Sequence, residues 1–506
     1  MGFFKKSTLR RSRVRKGTGI RYADISRLAN PDIIYSSLIW LLFVCMCVAV
    51  LGYDSIKQAA YTRLAAMAVV IVMICLASAY HISQYQKRLL KNHTRAVGLV
   101  AMFMLLLTSA KISVSLTGQV FWATATAVAA ALVLAICYSQ RFATVMTLVY
   151  CILAYFAAEL PPGAGPAANV NVLLTMLAAT IPFCFFLKEI RTRMKLLEVS
   201  LLAAVTVFLM TMSVKVLFSA AVLENAIETA GVNAAITIIV GVMMQGLLPV
   251  LEKVFGIATS MTLLDYSDAN QPLLKRLAIE APGTYSHSLF IGSIAEAAAE
   301  SIGRNGLLCR VGSYYHDIGK INKPGYFVEN QLGSVSWHKE LSPAMSQLII
   351  AGHVKDGMEL AKEYGLPVVL RQFIETHHGT TLVEYFYNEA VKQHELKGSS
   401  DTSPPSEGEY RYPGPKPRTK EAAIIMLADA VEGAVRTVSE PTPTKIEAVV
   451  HNMAMKRLQD GQFDECDLSL REINLIEVSI SKALAGHYHG RIAYPKPPEM
   501  PPDKEQ

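Results

Sequence analysis

The sequence has no CxxC pair, and its eight cysteines do not make a disulfide framework. Cys45, Cys47, Cys75, Cys137, Cys151 and Cys184 lie inside apolar runs, while Cys309 and Cys466 stand alone in the more polar half. That excludes a zinc ribbon and a disulfide scaffold, and fits small buried thiols in a reducing compartment. The N-terminal MGFFKK has no Ser or Thr at position six, so it is not a myristoylation signal. Charge is scarce between about residues 33 and 251, which excludes a soluble fold for that stretch. After residue 252 the charge density is ordinary, but no run of alternating apolar and polar residues appears, which excludes a β-rich domain. The averages of 52% hydrophobic and 18% charged residues therefore join two physical classes, and the formal +7 charge is not one uniform surface.

Apolar runs near 33–51, 64–82, 96–113, 119–138, 143–158, 169–187, 199–218 and 233–251 are each close to the length that crosses a bilayer. The first is too long, and too weakly followed by small residues, for a cleaved signal peptide, and is read as an uncleaved anchor. With the N-terminus inside, the inner segments hold 18 Lys and Arg against 4 in the outer ones. Cytoplasmic flanks keep positive charge, so eight crossings put both termini in the cytosol of a bacterial inner membrane. The basic tail within 1–32 suits anionic headgroups of the lipid bilayer. It lacks the interleaved aromatics that a nucleic-acid polymer would call for. A transporter reading starts weak, because no span carries a buried acid–base chain or a pair of matched broken helices.

The polar half, 252–494, reads as helical, with three- and four-residue apolar spacing in 285–303, 306–318, 341–362, 366–378, 419–438 and 444–458. The expected fold class is therefore all-α: a polytopic membrane bundle of about eight spans over 33–251, then a cytosolic all-helical domain. A Ser/Pro/Gly-rich stretch at 396–418 reads as a mobile insertion, and 495–506 as a disordered tail. Ten of the twelve histidines follow residue 252. His287, His316, Asp317, His353, His377, His378 and Asp429 form a set of imidazoles and carboxylates suited to borderline first-row metals, Fe, Mn or Zn. Seven donors are too many for one ion and suit two divalent ions that share a carboxylate, an arrangement able to hydrolyse a phosphodiester. His338, His394, His451, His487 and His489 read as background.

The order H…HD…H…HH…D, with HDIGK at 316–320, resembles the bimetallic branch of the HD phosphohydrolase superfamily. The flanking text LLKRLAIEAPGTYSHS (273–288), RVGSYYHDIGKINKPGYFVENQ (310–331), HVKDG (353–357), HHGTTLVEYFY (377–387) and YPGPKPRTKEAAIIMLADAVEGA (412–434) is similar to the bacterial seven-transmembrane HD family of cyclic di-AMP phosphodiesterases. The resemblance implies that Asp317 bridges two Fe or Mn ions. His287, His316 and Asp429 then complete one site, and His353, His377 and His378 the other. Lys320 is expected to face a substrate phosphate, as a point charge suited to a non-bridging oxygen. The implied reaction opens cyclic di-AMP to pApA. Cyclic di-GMP is the alternative substrate, although HHGTT at 377–381 replaces the GYP that follows the HH pair in the sister family. A nucleotide-binding receptor without turnover is the alternative class, and an intact ligand set argues against it. A homo-oligomer is compatible with the sequence. The chain departs from the family pattern in one place: only 52–63 separate the first two spans, where members usually carry a large extracellular domain.

Overall fold

The computed structural model describes residues 31–86, 90, 92–158, 166–187, 192–218, 223–331, 337–397 and 404–489. The expectations for the basic tail and for 495–506 fall on residues outside these. By its internal contacts the chain divides into two compact units, Met1–Phe255 and Gly256–Gln506.

The first unit is built from apolar helices at the eight expected places: α1 (Pro31–Leu51), α2 (Tyr61–Tyr85), α3 (His93–Thr117), α4 (Phe121–Cys137), α5 (Gln140–Ala157), α6 (Pro166–Phe186), α7 (Arg193–Phe218) and α8 (Leu223–Phe255). Among the described residues, six of these (α1, α2, α3, α5, α7 and α8) are long and apolar enough to cross a bilayer, while α4 and the Val170–Phe186 part of α6 are apolar but shorter. The expected count of eight thus meets two helices below full spanning length. The composition of α4 accounts for its place: FWATATAVAAALVLAIC is rich in alanine, and it is buried against α3, α5, α6 and α8. Small side chains let neighbouring backbones approach closely inside a bundle. Larger apolar side chains point outward, with Leu105 71%, Leu116 81% and Leu217 74% exposed. Such a surface fits lipid as its solvent, and the protein is a membrane protein.

In the second unit the described residues are helical, and their one β feature is an isolated bridge between Leu382 and Arg411. The helices are α9 (Ser260–Ser267), α10 (Pro272–Glu280), α11 (Pro282–Ser301), α12 (Gly306–Tyr315), α13 (Pro343–Glu363), α14 (Val368–Thr376), α15 (Glu384–Lys397), α16 (Lys420–Arg436), α17 (Pro443–Gln459) and α18 (Leu470–His489). Polar caps set their starts. The side chains of Asn305, Ser342, Thr419 and Thr442 each accept from the backbone N–H three residues on. Pro282, Pro343 and Pro443 occupy first-turn positions where their missing N–H costs nothing. Helix α11 sits at the centre, packing on α10, α12, α16 and α18. Its Ile291, Ile294, Ala295, Ala298 and Ala299 lie in the core. Four of these helices, α9, α10, α15 and α18, fall outside the stretches read as helical from the sequence. For α18 the spacing was there to read, since Ile473, Ile476, Ile480 and Leu484 form its buried stripe.

The segment expected to be a mobile insertion carries fixed structure over most of its described residues. Residues 398–403 lie outside the described ones, but 404–418 hold a short 3-10 turn, Glu407–Tyr410, and the buried side chains of Tyr410 and Tyr412. Arg411 fastens the segment, donating to the Thr380 carbonyl at 2.8 Å and pairing with Asp460 at 3.0 Å. Its low-complexity composition hid these anchors.

Candidate metal centre

Five helices deliver the seven predicted donors to one place. His287 projects from α11, His353 from α13 and Asp429 from α16, while His316–Asp317 and His377–His378 follow the ends of α12 and α14. Adjacent residues in a continuing α-helix diverge by about 100°, so a neighbouring pair faces one point more readily where a helix stops. Here α12 gives way to 3-10 turns at Ile318–Asn322. Gly319 makes that turn fit: a Cβ there would stand 1.8 Å from the carbonyl oxygen of His353. The missing side chain lets the turn lie directly on α13.

Asp317 is the hub, and its two oxygens face different partners. Oδ1 is 3.3 Å from His353 Nε2 and 3.5 Å from His377 Nε2. Oδ2 is 3.2 Å from His316 Nε2, 3.8 Å from His287 Nε2 and 2.7 Å from Lys320 Nζ. Asp429 closes the second group, with Oδ1 3.1 Å from His287 and 3.7 Å from His316, and Oδ2 3.9 Å from His378 Nδ1. The donors thus form two overlapping groups, Asp317–His353–His377–His378 and His287–His316–Asp317–Asp429, within each of which the donor atoms lie within 4.8 Å of one another.

Three of the histidines are aimed the same way. His316, His353 and His377 place Nδ1 against the carbonyl three residues earlier, at Ser313, Ile350 and Ile374, which turns each Nε2 toward Asp317. His287, in mid-helix, instead has Glu432 Oε2 2.9 Å from its Nδ1. Such outer partners fix the tautomer and raise the basicity of an imidazole ligand. Glu432 and Asp429 stand three apart on α16 and so share its inner face.

The electrostatics favour a cation. Burial alone would lift both aspartates, but His316 and Lys320 beside Asp317, and His287 and His316 beside Asp429, hold both well below the usual carboxylate range. Burial would likewise depress His316, yet the Asp317 and Asp429 carboxylates push it up to about 10. Protons drawn to the cluster in this way are the ones a metal ion displaces. On the other side, burial and the neighbouring imidazoles His377 and His353 hold His378 well below its usual range, leaving it a neutral donor. Two buried atoms aimed at the centre, His316 Nε2 and Asp317 Oδ1, complete no hydrogen bond among the described residues. Nitrogen and oxygen donors without thiolate suit first-row transition metals, so the residues fit the metal that the sequence implied.

Lys320 is not a solvated surface lysine. Its amine lies between Asp317 Oδ2 at 2.7 Å and Glu329 Oε1 at 2.8 Å and over the Phe327 ring, with the side chain 13% exposed. Burial would lower it, but the charges of Asp317, Glu329 and Asp429 outweigh that and raise it. Thr284 also donates to Glu329, at 3.1 Å. The open edge of the cluster is marked by His378 and Asp429, whose side chains are 21% and 15% exposed while that of Asp317 is 2% exposed. Tyr412 stacks on His378 there, with ring centroids 4.2 Å apart. His338, His394, His451 and His487 join neither group of donors; His451 pairs with Glu477, and His487 packs on Phe290.

Residues 61–259 match the family model described as 7TM receptor with intracellular HD hydrolase, and residues 284–434 match the HD domain. The chain is thus similar to the seven-transmembrane HD family in its membrane half and to HD domains in its C-terminal half. It is 40% identical over 329 residues to the cyclic-di-AMP phosphodiesterase PgpH of Bacillus subtilis, a match covering 65% of this chain and 45% of that protein. It is 46% identical over 251 residues to the cyclic-di-AMP phosphodiesterase PgpH of Listeria monocytogenes, covering 49% of this chain and 34% of that one. The matches thus span less than half the length of these relatives. A solved L. monocytogenes PgpH HD domain in complex with cyclic-di-AMP is 46% identical and covers 44% of this chain and 100% of that chain, with a TM-score of 0.41. Within the HD domain, reasoning from the sequence missed Glu432, Glu329, Thr284 and Tyr412. Only Glu432 carried a local signal, its three-residue offset from Asp429.

Proposed function

We propose that the C-terminal unit is a bimetallic phosphodiesterase that hydrolyses 3′,5′-cyclic di-AMP to linear pApA. The observation that carries this is the division of Asp317, with Oδ1 toward His353 and His377 and Oδ2 toward His316 and His287. His287, His316 and Asp429 would hold one divalent ion, and His353, His377 and His378 the other, with Asp317 shared. Two such ions, iron or manganese by their donor set, supply Lewis acidity, lower the pKa of water and offset phosphate charge. In the hydrolysis, water oxygen bonds to phosphorus while the P–O3′ bond breaks, and the 3′ oxygen leaves with a proton. Lys320, held by Glu329, places a fixed positive charge beside the reacting phosphate. The buried imidazoles exclude bulk water from the centre, and His378 and Asp429 stand where substrate enters. The adenine specificity rests on the two curated relatives at 40% and 46% identity. Full-length protein supplied separately with Mn and Fe and offered cyclic di-AMP, cyclic di-GMP and linear dinucleotides is expected to turn over cyclic di-AMP fastest, with pApA as product. Binding of cyclic di-AMP without product, in metal-loaded protein, would instead identify a receptor.

The proposed location is the bacterial inner membrane, with both termini and the HD domain in the cytosol. Six crossings and eight are both even, so either count returns the chain to the side of its N-terminus, and the 18-to-4 bias in Lys and Arg, counted over eight crossings, makes that side the inner one. Single cysteines placed within 188–198, in a background lacking the native thiols, are expected to resist an impermeant reagent on intact cells. Cysteines within 159–168 are expected to react. The reverse pattern overturns the orientation.

A further inference from the structure

Several cations line the wall formed by residues 379–381, 411–418 and 457–463 beside the metal centre, and most of them are occupied. Arg411 is bound by Asp460 at 3.0 Å and by the Thr380 carbonyl. Lys416 donates to the Gly461 carbonyl at 2.9 Å and lies 3.8 Å from Asp464. Lys456 pairs with Glu384. Lys320 is held between Asp317 and Glu329. Arg457, near the end of α17, differs from all of these. Its Nε is buried and has no hydrogen-bond partner among the described residues. Its guanidinium feels the charges of Asp429, Asp460, Glu384 and Tyr412, and among the described residues it closes no ion pair. Burial holds it below its usual range, and its Nε is left without a partner among the described residues.

A cyclic dinucleotide carries two phosphodiesters on one ring, and hydrolysis engages only one of them. The other remains an anion that must be desolvated as the ring enters. The metal cluster and Lys320 account for a single phosphate. The Arg457 carbonyl accepts from the Gln462 N–H at 3.0 Å, and the Gln462 side chain bonds Thr380 at 2.9 and 3.0 Å, two residues past His378 at the open edge of the cluster; a planar guanidinium receives two oxygens of a phosphate together. We propose that Arg457 binds the second, non-reacting phosphodiester of the cyclic dinucleotide and so selects a two-phosphate ring over a substrate with one. This assignment rests on the reading of the site as a cyclic dinucleotide phosphodiesterase.

The test compares two substrates in the Mn-loaded full-length protein: cyclic di-AMP, with two phosphodiesters, and bis(p-nitrophenyl) phosphate, with one. Arg457→Gln is expected to raise KM for cyclic di-AMP by about tenfold or more, with kcat changed less, the signature of lost uniform binding. Loss of kcat/KM on the single diester is expected to be smaller by a factor of about ten. Arg457→Lys should recover part of the KM, because charge is kept while the fork is lost. Metal content and thermal melting of both variants establish that the centre is intact. Equal losses on both substrates, or an unchanged KM for cyclic di-AMP, overturn the assignment. Wild-type protein that cleaves the single diester but leaves cyclic di-AMP intact defeats the substrate reading itself, and this assignment with it, before any variant is compared.

Discussion

Full-length protein carrying Asp317→Ala is expected to lose bound metal and turnover together, with the rate falling by about a thousandfold or more, or ~4 kcal/mol in barrier height. The reason is the position of Asp317 between both donor groups. Its Oδ1 faces His353 and His377 while its Oδ2 faces His316, His287 and Lys320, so one substitution removes a donor from each group. Without that carboxylate, two cations held by the remaining donors would repel each other across a buried space with no anion between them. Asp317→Asn separates charge from shape, since it keeps the volume while removing the negative charge and turning one acceptor oxygen into an NH2 donor. It is expected to fail nearly as badly. Metal stoichiometry by elemental analysis and product formation from cyclic di-AMP are the readouts. Insertion in the membrane should be unchanged, because the apolar helices precede this residue. Wild-type turnover in the alanine variant would sink the bimetallic reading.

How far the site was legible in the sequence follows from what each residue type can announce. The seven donors stand out because ten of the twelve histidines gather after residue 252, and because HD and HH are adjacent pairs separated by helical text. What the spacing could not announce was why adjacent residues point inward together, which depends on α12 and α14 ending at that point. Glu329 illustrates the limit. Nine residues beyond Lys320 on a continuous α-helix would lie on the opposite face. The chain between them runs instead through 3-10 turns, and the two side chains meet at 2.8 Å. Tyr412 was hidden for a different reason. Its neighbours, proline, glycine and charged residues, read as a loop, while the anchors that press it onto His378 come from Thr380 and Asp460, distant in sequence. In the membrane half the apolar runs gave the helices directly. Helix α4 was harder to judge as a span, because its alanines serve packing and its length falls below that of its neighbours.

Gly319→Ala is expected to destabilise the HD domain and disturb metal binding although it touches no donor atom. Its new Cβ would stand 1.8 Å from the carbonyl oxygen of His353 and 2.5 Å from the backbone nitrogen of Gly357. Both are main-chain atoms of α13, so no side-chain rotation relieves the clash, and the turn and the helix must separate. Overpacking of this kind costs roughly 3 kcal/mol. For a unit of this size that lowers the melting temperature by about 6–12 °C. Separation also carries His353 away from Asp317, whose Oδ1 lies 3.3 Å from its Nε2. Metal affinity should therefore fall along with stability. Gly352, beside His353 on the same helix, provides the control. A Cβ there meets nothing within 4 Å, so Gly352→Ala should be neutral or stabilising by roughly 0.5–1 kcal/mol through its effect on the unfolded chain. Thermal melts of the two variants, with metal content measured in parallel, discriminate. A Gly319→Ala protein that melts like the wild type and holds its full metal complement would show that the HDIGK turn does not depend on its close approach to α13.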